Sequence, residues 1–293
     1  MSVKQFEPQF MKIGVFSFNT EYTMPADELA RECEARGFES LWLPEHTHIP
    51  ASRESQYPGG GELPEEYAHM SDPFIGLAAA AAATKTLKLG TGISLVTEHD
   101  PIVQAKQVAS LDRISNGRFI FGVGAGWNKE EMANHGTPPN KRWKVFTERI
   151  EAMKAMWKDD VASYHGQFVN FDRIWSYPKP LTQPHPQILL GSLNSALGRQ
   201  RVVDLCDGWI PVETAIADMP ASIKDLHERA RAAGRDPQSI PISFFCVHAA
   251  GIERLERYRS LGAVRTVVRA PTAGREKILP FLDRYAEIAR KFE

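Results

Sequence analysis

The sequence predicts a closed (β/α)8 barrel, a TIM barrel, with an insertion before the fifth strand. Three observations carry that expectation. Short apolar, β-branched or aromatic runs alternate with longer stretches of helical pattern along nearly the whole chain, the signal of βα units. The runs are apolar without a polar face, as strands are when both sides of a parallel sheet are covered. Eight such units fit between residues 13 and 291, which favours a barrel over an open doubly wound sheet.

The first strand reads IGVFSF from Ile13, and its helix runs from Pro25, with Asp27 and Glu28 in the first turn, to Gly37. Proline and acids at the start and glycine at the end are the expected helix boundaries. SLWLP from Ser40 precedes a helix over Asp72–Thr84, and LKLGTGISL from Leu87 precedes one from Pro101. RFIFGVGAG from Arg118 is followed by a loop holding Pro138 and Pro139, then by a helix over Trp143–Trp157. The remaining units are QILLGS with Ser195–Leu205, GWIPV with Met219–Ala233, ISFFCVHAAG with Glu253–Leu261, and RTVVRA with Arg275–Lys291. Two stretches break the rhythm. One is the long loop Glu45–Ser71 with three consecutive glycines; the other, residues 160–186, reads as a small β excursion ending in a proline-rich run. The whole chain, 1–293, is expected to be one domain, with 1–11 as an N-terminal extension.

Composition narrows the function classes. Of 293 residues 43% are hydrophobic and 24% charged, with a net charge of -1, too apolar for disorder and too balanced for bulk attraction to nucleic acid or acidic membranes. The longest apolar run, Pro73–Ala83, is too short to span a bilayer. Three scattered cysteines form no disulfide framework, and no signal peptide is readable, so a cytoplasmic protein is expected.

In such a barrel the chemistry lies at the C-terminal ends of the strands. The candidates there are Ser17–Asn19, Glu45–His48, Gly92–Leu95, Gly124–Asn128, Gly191–Asn194, Pro211–Glu213, His248 and Arg269. Carboxylates are too few for a paired-carboxylate glycosidase. His46-x-His48 invites a hydrolytic zinc site, but the fifth, sixth and eighth strand ends offer Gly191–Ser192, Ile210–Pro211 and Arg269 in place of further ligands, so no metal is expected. GVGAG, Gly122–Gly126, lacks the third glycine of a dinucleotide fingerprint, where Trp127 stands. Its small residues leave room either for a flat ligand or for a neighbouring strand. GSLNSALG, Gly191–Gly198, joins strand to helix, either as an ordinary cap or as a phosphate-binding helix start.

ASLDRISNGRFIFGVGAGW (Ala109–Trp127), with GFESLWLPEH, LGTGISL and PQILLGS…DGW in order and spacing, resembles the bacterial luciferase-like monooxygenase superfamily. The resemblance spans roughly residues 12 to 290, and within the superfamily the chain is most similar to the branch using coenzyme F420, a deazaflavin. It implies a homodimeric barrel with the cofactor across its mouth and a non-prolyl cis peptide at Gly92–Ile93. The phosphate end would lie near Gly191–Asn194. On this basis Phe16, Ser17, Thr91, Gly92, Ile93, Gly124, Gly126, Gly191, Ser192 and Asn194 are expected to line the cofactor site. His46 matches the histidine that exchanges a proton with the substrate, and imidazole titrates in the right range for that. Glu45 beside it either orients the imidazole or faces another way. The family's sugar-phosphate dehydrogenases carry Glu where this chain has Trp127, so with Phe16 and Phe18 it points to a flat or apolar small-molecule substrate. The expected activity is hydride transfer between F420 and an organic substrate. An FMN-dependent monooxygenase of the same fold is the alternative, ahead of a metal-dependent hydrolase or a non-catalytic cofactor-binding relative.

Overall fold

The computed structural model describes residues 10–192 and 194–292; most of the expected N-terminal extension, residues 1–9, lies outside them. Eight parallel strands close on themselves. They are β1 (Lys12–Phe16), β2 (Ser40–Leu43), β3 (Lys88–Thr91) with its continuation β4 (Ser94–Leu95), and β5 (Phe119–Gly124), then β8 (Gln187–Leu190), β9 (Gly208–Trp209), β10 (Ile242–Cys246) and β11 (Ala263–Arg269). Closure is made where Phe16 pairs with Arg269 and Ile120 with Gln187. The third strand read from the sequence is thus two pieces, divided at Gly92–Ile93, whose peptide bond is cis. The stretch 160–186 holds an antiparallel pair, β6 (Ala162–His165) and β7 (Asn170–Ile174).

The helices follow the strands in the expected order: α1 (Ala26–Ala35), α2 (Pro73–Ala83), α3 (Pro101–Ile114), α4 (Lys129–Asn134), α5 (Arg142–Lys158), α6 (Ala196–Leu205), α7 (Met219–Ala232), α8 (Ile252–Ser260) and α9 (Arg275–Ala289). Asp72, Asp100 and Asp218 cap α2, α3 and α7 by accepting from backbone N–H groups one turn on, with proline in the first turn of each helix. One expectation needs correction. The segment after Trp127, read as loop, contains α4, started by Asn128, whose side chain accepts from the Glu131 N–H at 3.2 Å.

Two apolar layers form. The larger lies between barrel and helices, and the smaller fills the barrel with Trp42, Ile120, Leu189, Ile210, Phe245 and Val267. Trp42 is fully buried, its indole N–H donating to Ser40 Oγ at 2.8 Å. A Cβ at position 90 would stand 2.3 Å from its ring, so only glycine lets that side chain cross the barrel. At the face opposite the mouth, Arg118 donates to the carbonyls of Ala81, Thr84, Leu87 and Ser115. Arg235 does the same for Val202, Val203, Cys206 and Asp207. Both close helix C-termini whose carbonyls lack partners within the helix. Among the described residues no helix is long and apolar enough to cross a membrane.

Candidate active site

The mouth of the barrel is built around His46. It follows β2 and is buried, with both ring nitrogens engaged. Nδ1 lies 2.6 Å from Glu131 Oε2 on α4, and Nε2 accepts from the Trp127 indole N–H at 3.2 Å. The other Glu131 oxygen accepts from the Thr47 backbone N–H at 3.0 Å. The indole nitrogen only donates, so Nε2 carries a lone pair and the ring proton sits on Nδ1.

Glu45 faces another way. Its carboxylate accepts from Ser94 Oγ at 2.8 Å and Leu95 N–H at 2.6 Å, and lies 2.8 Å from His99 Nε2. Among the described residues Glu45 and His46 have no hydrogen-bond partner in common. Of the two roles left open for Glu45, orienting the imidazole is therefore the one the geometry excludes. Burial works against both charges of the Glu45–His99 pair. Their hydrogen bond and mutual attraction outweigh it, holding Glu45 below and His99 above their ordinary ranges. The pair ties the end of β2 to the chain just beyond Gly92–Ile93.

Ile93 forms a platform at the mouth, wedged between glycines. A Cβ at Gly124 would lie 2.1 Å from its Cδ1, and one at Gly191 2.7 Å from its Cγ2. Gly124 and Gly191 thus make room for a neighbouring strand segment, one of the two uses left open for the glycine-rich strand end. Thr91 Oγ1 donates to the Gly122 carbonyl at 2.7 Å and is fully buried, so its hydroxyl is committed to the barrel. Gly126 has φ +72°, with Glu98 Oε1 3.2 Å from where its Cβ would be. Phe16 stands edge-on to Phe18 and Phe245, with centroids 5.2 and 5.5 Å away, and Ser17 is buried beside it. Phe18 is buried between Phe16, Tyr67 and the Arg269 guanidinium.

The long loop after β2 folds over this floor. Tyr67 packs against Phe18 and His46, and its phenol lies 3.2 Å from that of Tyr57; burial, then the Tyr57 contact, pushes its pKa up. Ser55 N–H donates to Glu130 at 2.6 Å, fastening the loop to α4. Glu66 pairs with Arg269 at 2.5 Å. Between this loop and α4 lies a cavity of about 680 Å³, lined by Glu54, Gln56, Trp127, Lys129 and Pro139 among others. Trp127 is the wall between it and His46.

On the opposite side of the mouth, the Ser192 hydroxyl is shielded from solvent and finds no partner among the described residues. Asn194 donates to Ser222 Oγ at 2.9 Å and is engaged by Arg199. Ser195 caps α6, accepting from Gly198 N–H at 3.0 Å. Glu213 is taken up by the Val247 N–H, with its pKa raised by burial. The two histidines of the HxH pair diverge, for His48 meets Thr47 Oγ1 and Asn134 at 2.9 and 2.8 Å. Among the described residues no group of three or more His, Cys, Asp and Glu is arranged to hold a metal ion.

Sequence reasoning missed Glu131, Glu98, His99, Tyr57 and Tyr67. Glu131 had a signal, since Asn128-x-x-Glu131 has capping-box spacing directly after the glycine-rich strand end. Its side chain turns to His46 and Thr47 instead of back to the cap.

A closed parallel barrel with a buried imidazole and an aromatic wall at its C-terminal mouth defines a TIM-barrel enzyme architecture. The luciferase-like monooxygenase family profile matches residues 11–290, and the chain belongs to that family of oxidoreductases. An uncharacterized protein of Mycobacterium tuberculosis is 35% identical over 281 residues, 94% of this chain and 98% of its own length. An FMNH(2)-dependent dimethylsulfone monooxygenase of Pseudomonas putida is 33% identical over 159 residues, 53% of this chain and 43% of that protein. The structure of an F420-dependent secondary alcohol dehydrogenase with an F420–acetone adduct superposes with a TM-score of 0.78. It is 19% identical and covers 97% of this chain and 99% of that one.

Proposed function

We propose that the protein is an F420-dependent oxidoreductase that moves a hydride between the deazaflavin and a small organic substrate, with His46 exchanging the substrate's proton. The observation that carries this reading is the state of His46: buried, backed by Glu131 at 2.6 Å, and presenting the Nε2 lone pair toward the aromatic wall.

The residues at the mouth suit a flat, phosphate-bearing cofactor. Ile93, clamped between Gly124 and Gly191, offers an apolar platform for a ring. The Ser192 hydroxyl, without a partner among the described residues and near the start of α6, suits a phosphate oxygen. When bound, a deazaflavin supplies two-electron chemistry with little reactivity toward oxygen. The chain's own part is proton management and exclusion of water. A substrate hydroxyl replacing the Trp127 N–H at Nε2 gives its proton to the ring. In the reverse direction the imidazolium returns it to a carbonyl oxygen. The displaced indole N–H can donate to the same oxygen, while Tyr57 and Tyr67 cover the site.

A second reading, an FMN-dependent monooxygenase, is favoured by the Pseudomonas relative. Fluorescence titration with F420 and, separately, FMN decides between them. Tight F420 binding and weak FMN binding are expected, and the reverse preference overturns the F420 assignment and makes oxygen uptake the assay to run.

A further inference from the structure

We propose that Glu131 is the positioning residue that sets the His46 tautomer, holding the proton on Nδ1 so that Nε2 faces the barrel mouth as a base. The inference deepens the proposed function, but its core is a property of the resting protein and needs no cofactor.

Three features of the site lead to it. Glu131 is completely buried, on a short helix fixed by Asn128 and, through neighbouring Glu130, by Ser55. Its two oxygens have different donors, Thr47 N–H at 3.0 Å and His46 Nδ1 at 2.6 Å. The Thr47 N–H cannot be anything but a donor. On the far side of the ring, the Trp127 N–H is equally fixed as a donor. The imidazole therefore lies between a carboxylate that only accepts and an indole that only donates, and one neutral tautomer satisfies both.

The surrounding groups explain why the carboxylate at this position is Glu131. Glu98, in the turn Val96–Glu98 after β4, is buried and faces Glu131 and Glu45, with Arg149 of α5 nearby. Neither of its oxygens finds a donor among the described residues, whereas both of Glu131's do, so the hydrogen bond between the two carboxyl groups needs the proton on Glu98. Two carboxylates in one dry cluster do not both ionise, and the one without donors keeps the proton. Burial and the Glu131 and Glu45 charges push Glu98 far above the ordinary carboxylate range. Glu98 thus remains neutral and leaves Glu131 as the acceptor for His46.

Glu131→Gln isolates the effect. An amide has one oxygen and one NH2 where the carboxylate has two acceptors. With the oxygen kept by the Thr47 N–H, the NH2 faces Nδ1, and the ring proton must move to Nε2, against the Trp127 N–H. The test is nitrogen NMR of histidine-labelled full-length protein without cofactor, the His46 signals being assigned by their loss in His46→Gln. The expected result is Nδ1–H in the wild type and Nε2–H in Glu131→Gln. An Nε2–H wild type, or an unchanged tautomer in Glu131→Gln, overturns the proposal. If Glu131→Gln does not fold, Trp127→Phe answers the same question: Nδ1–H is retained if Glu131 sets the tautomer, and its loss assigns that role to Trp127 and overturns the proposal. Once a substrate is in hand, Glu131→Gln should lower kcat by roughly 10²–10⁴-fold with KM little changed. A failed cofactor titration with an intact NMR result would sink the F420 reading and leave the role of Glu131 standing.

Discussion

Two imidazole–carboxylate pairs lie at the mouth, His46–Glu131 and His99–Glu45, at nearly the same spacing, 2.6 and 2.8 Å. They differ in what surrounds them. Glu45 also receives Ser94 and Leu95 and braces the backbone beside Ile93. Glu131 receives the Thr47 N–H besides the ring and faces the neutral Glu98, and the far nitrogen of that ring meets Trp127 at the edge of a cavity. One pair is a brace and the other, under the proposed function, an acid–base device, and contact distance alone does not separate them. The difference lies in what occupies the second face of the ring.

Substitutions can break that contrast or sharpen it. The largest effect is expected at the acid–base pair: His46→Ala should lower turnover by roughly 10²–10⁴-fold while cofactor affinity, read by fluorescence titration, stays within a few-fold. Unchanged turnover would erase the contrast.

Glu45→Gln should instead cost roughly 3 kcal/mol of stability in urea unfolding, because a buried imidazolium loses its partner. The pH dependence has a definite sign. The depressed Glu45 pKa contributes stability that is present above the unfolded carboxylate range and lost as pH falls through the folded value. The raised His99 pKa contributes stability that is present below the unfolded imidazole range and lost as pH rises through the folded value. The deficit of Glu45→Gln should therefore peak between about pH 4.5 and 6.5, and a flat profile would deny the ion pair.

Gly124→Ala tests the platform that the brace supports. With Ile93 Cδ1 2.1 Å from the new Cβ, overpacking should cost about 1–3 kcal/mol and weaken cofactor binding along with it. Glu98→Gln tests the neutral neighbour of the acid–base pair. Glu98 is held neutral when folded but ionises when unfolded, so wild-type stability falls as pH rises above about 4.3. The variant should gain on the wild type along that rise, read as a difference in Tm between pH 5 and pH 8.

The barrel was legible because its cause is periodic. β5 and β10 are buried at every position, and such runs stand out in sequence. Asp-Pro helix starts at Asp72 and Asp100 are equally local. The strand-end rule also placed His46 and Trp127 at the mouth, where they meet. The partners of His46 were not legible in the same way. Glu45 is its sequence neighbour and points elsewhere, while Glu131 lies 85 positions away and arrives only through barrel closure. The helix carrying Glu131 has six residues, too few to show a repeating apolar face. Tyr67 sits in a loop whose path over the mouth is fixed by contacts such as Glu66–Arg269, between the second strand and the last.

Arg118 and Arg235 grip helix ends at the face away from the mouth, chiefly through backbone carbonyls, each with one added bond to a side-chain hydroxyl, Thr84 and Ser239. A grip on the main chain is indifferent to what the neighbouring residues become. The loop bearing Tyr57 and Tyr67, at the other end of the barrel, can therefore change in sequence without disturbing that foundation.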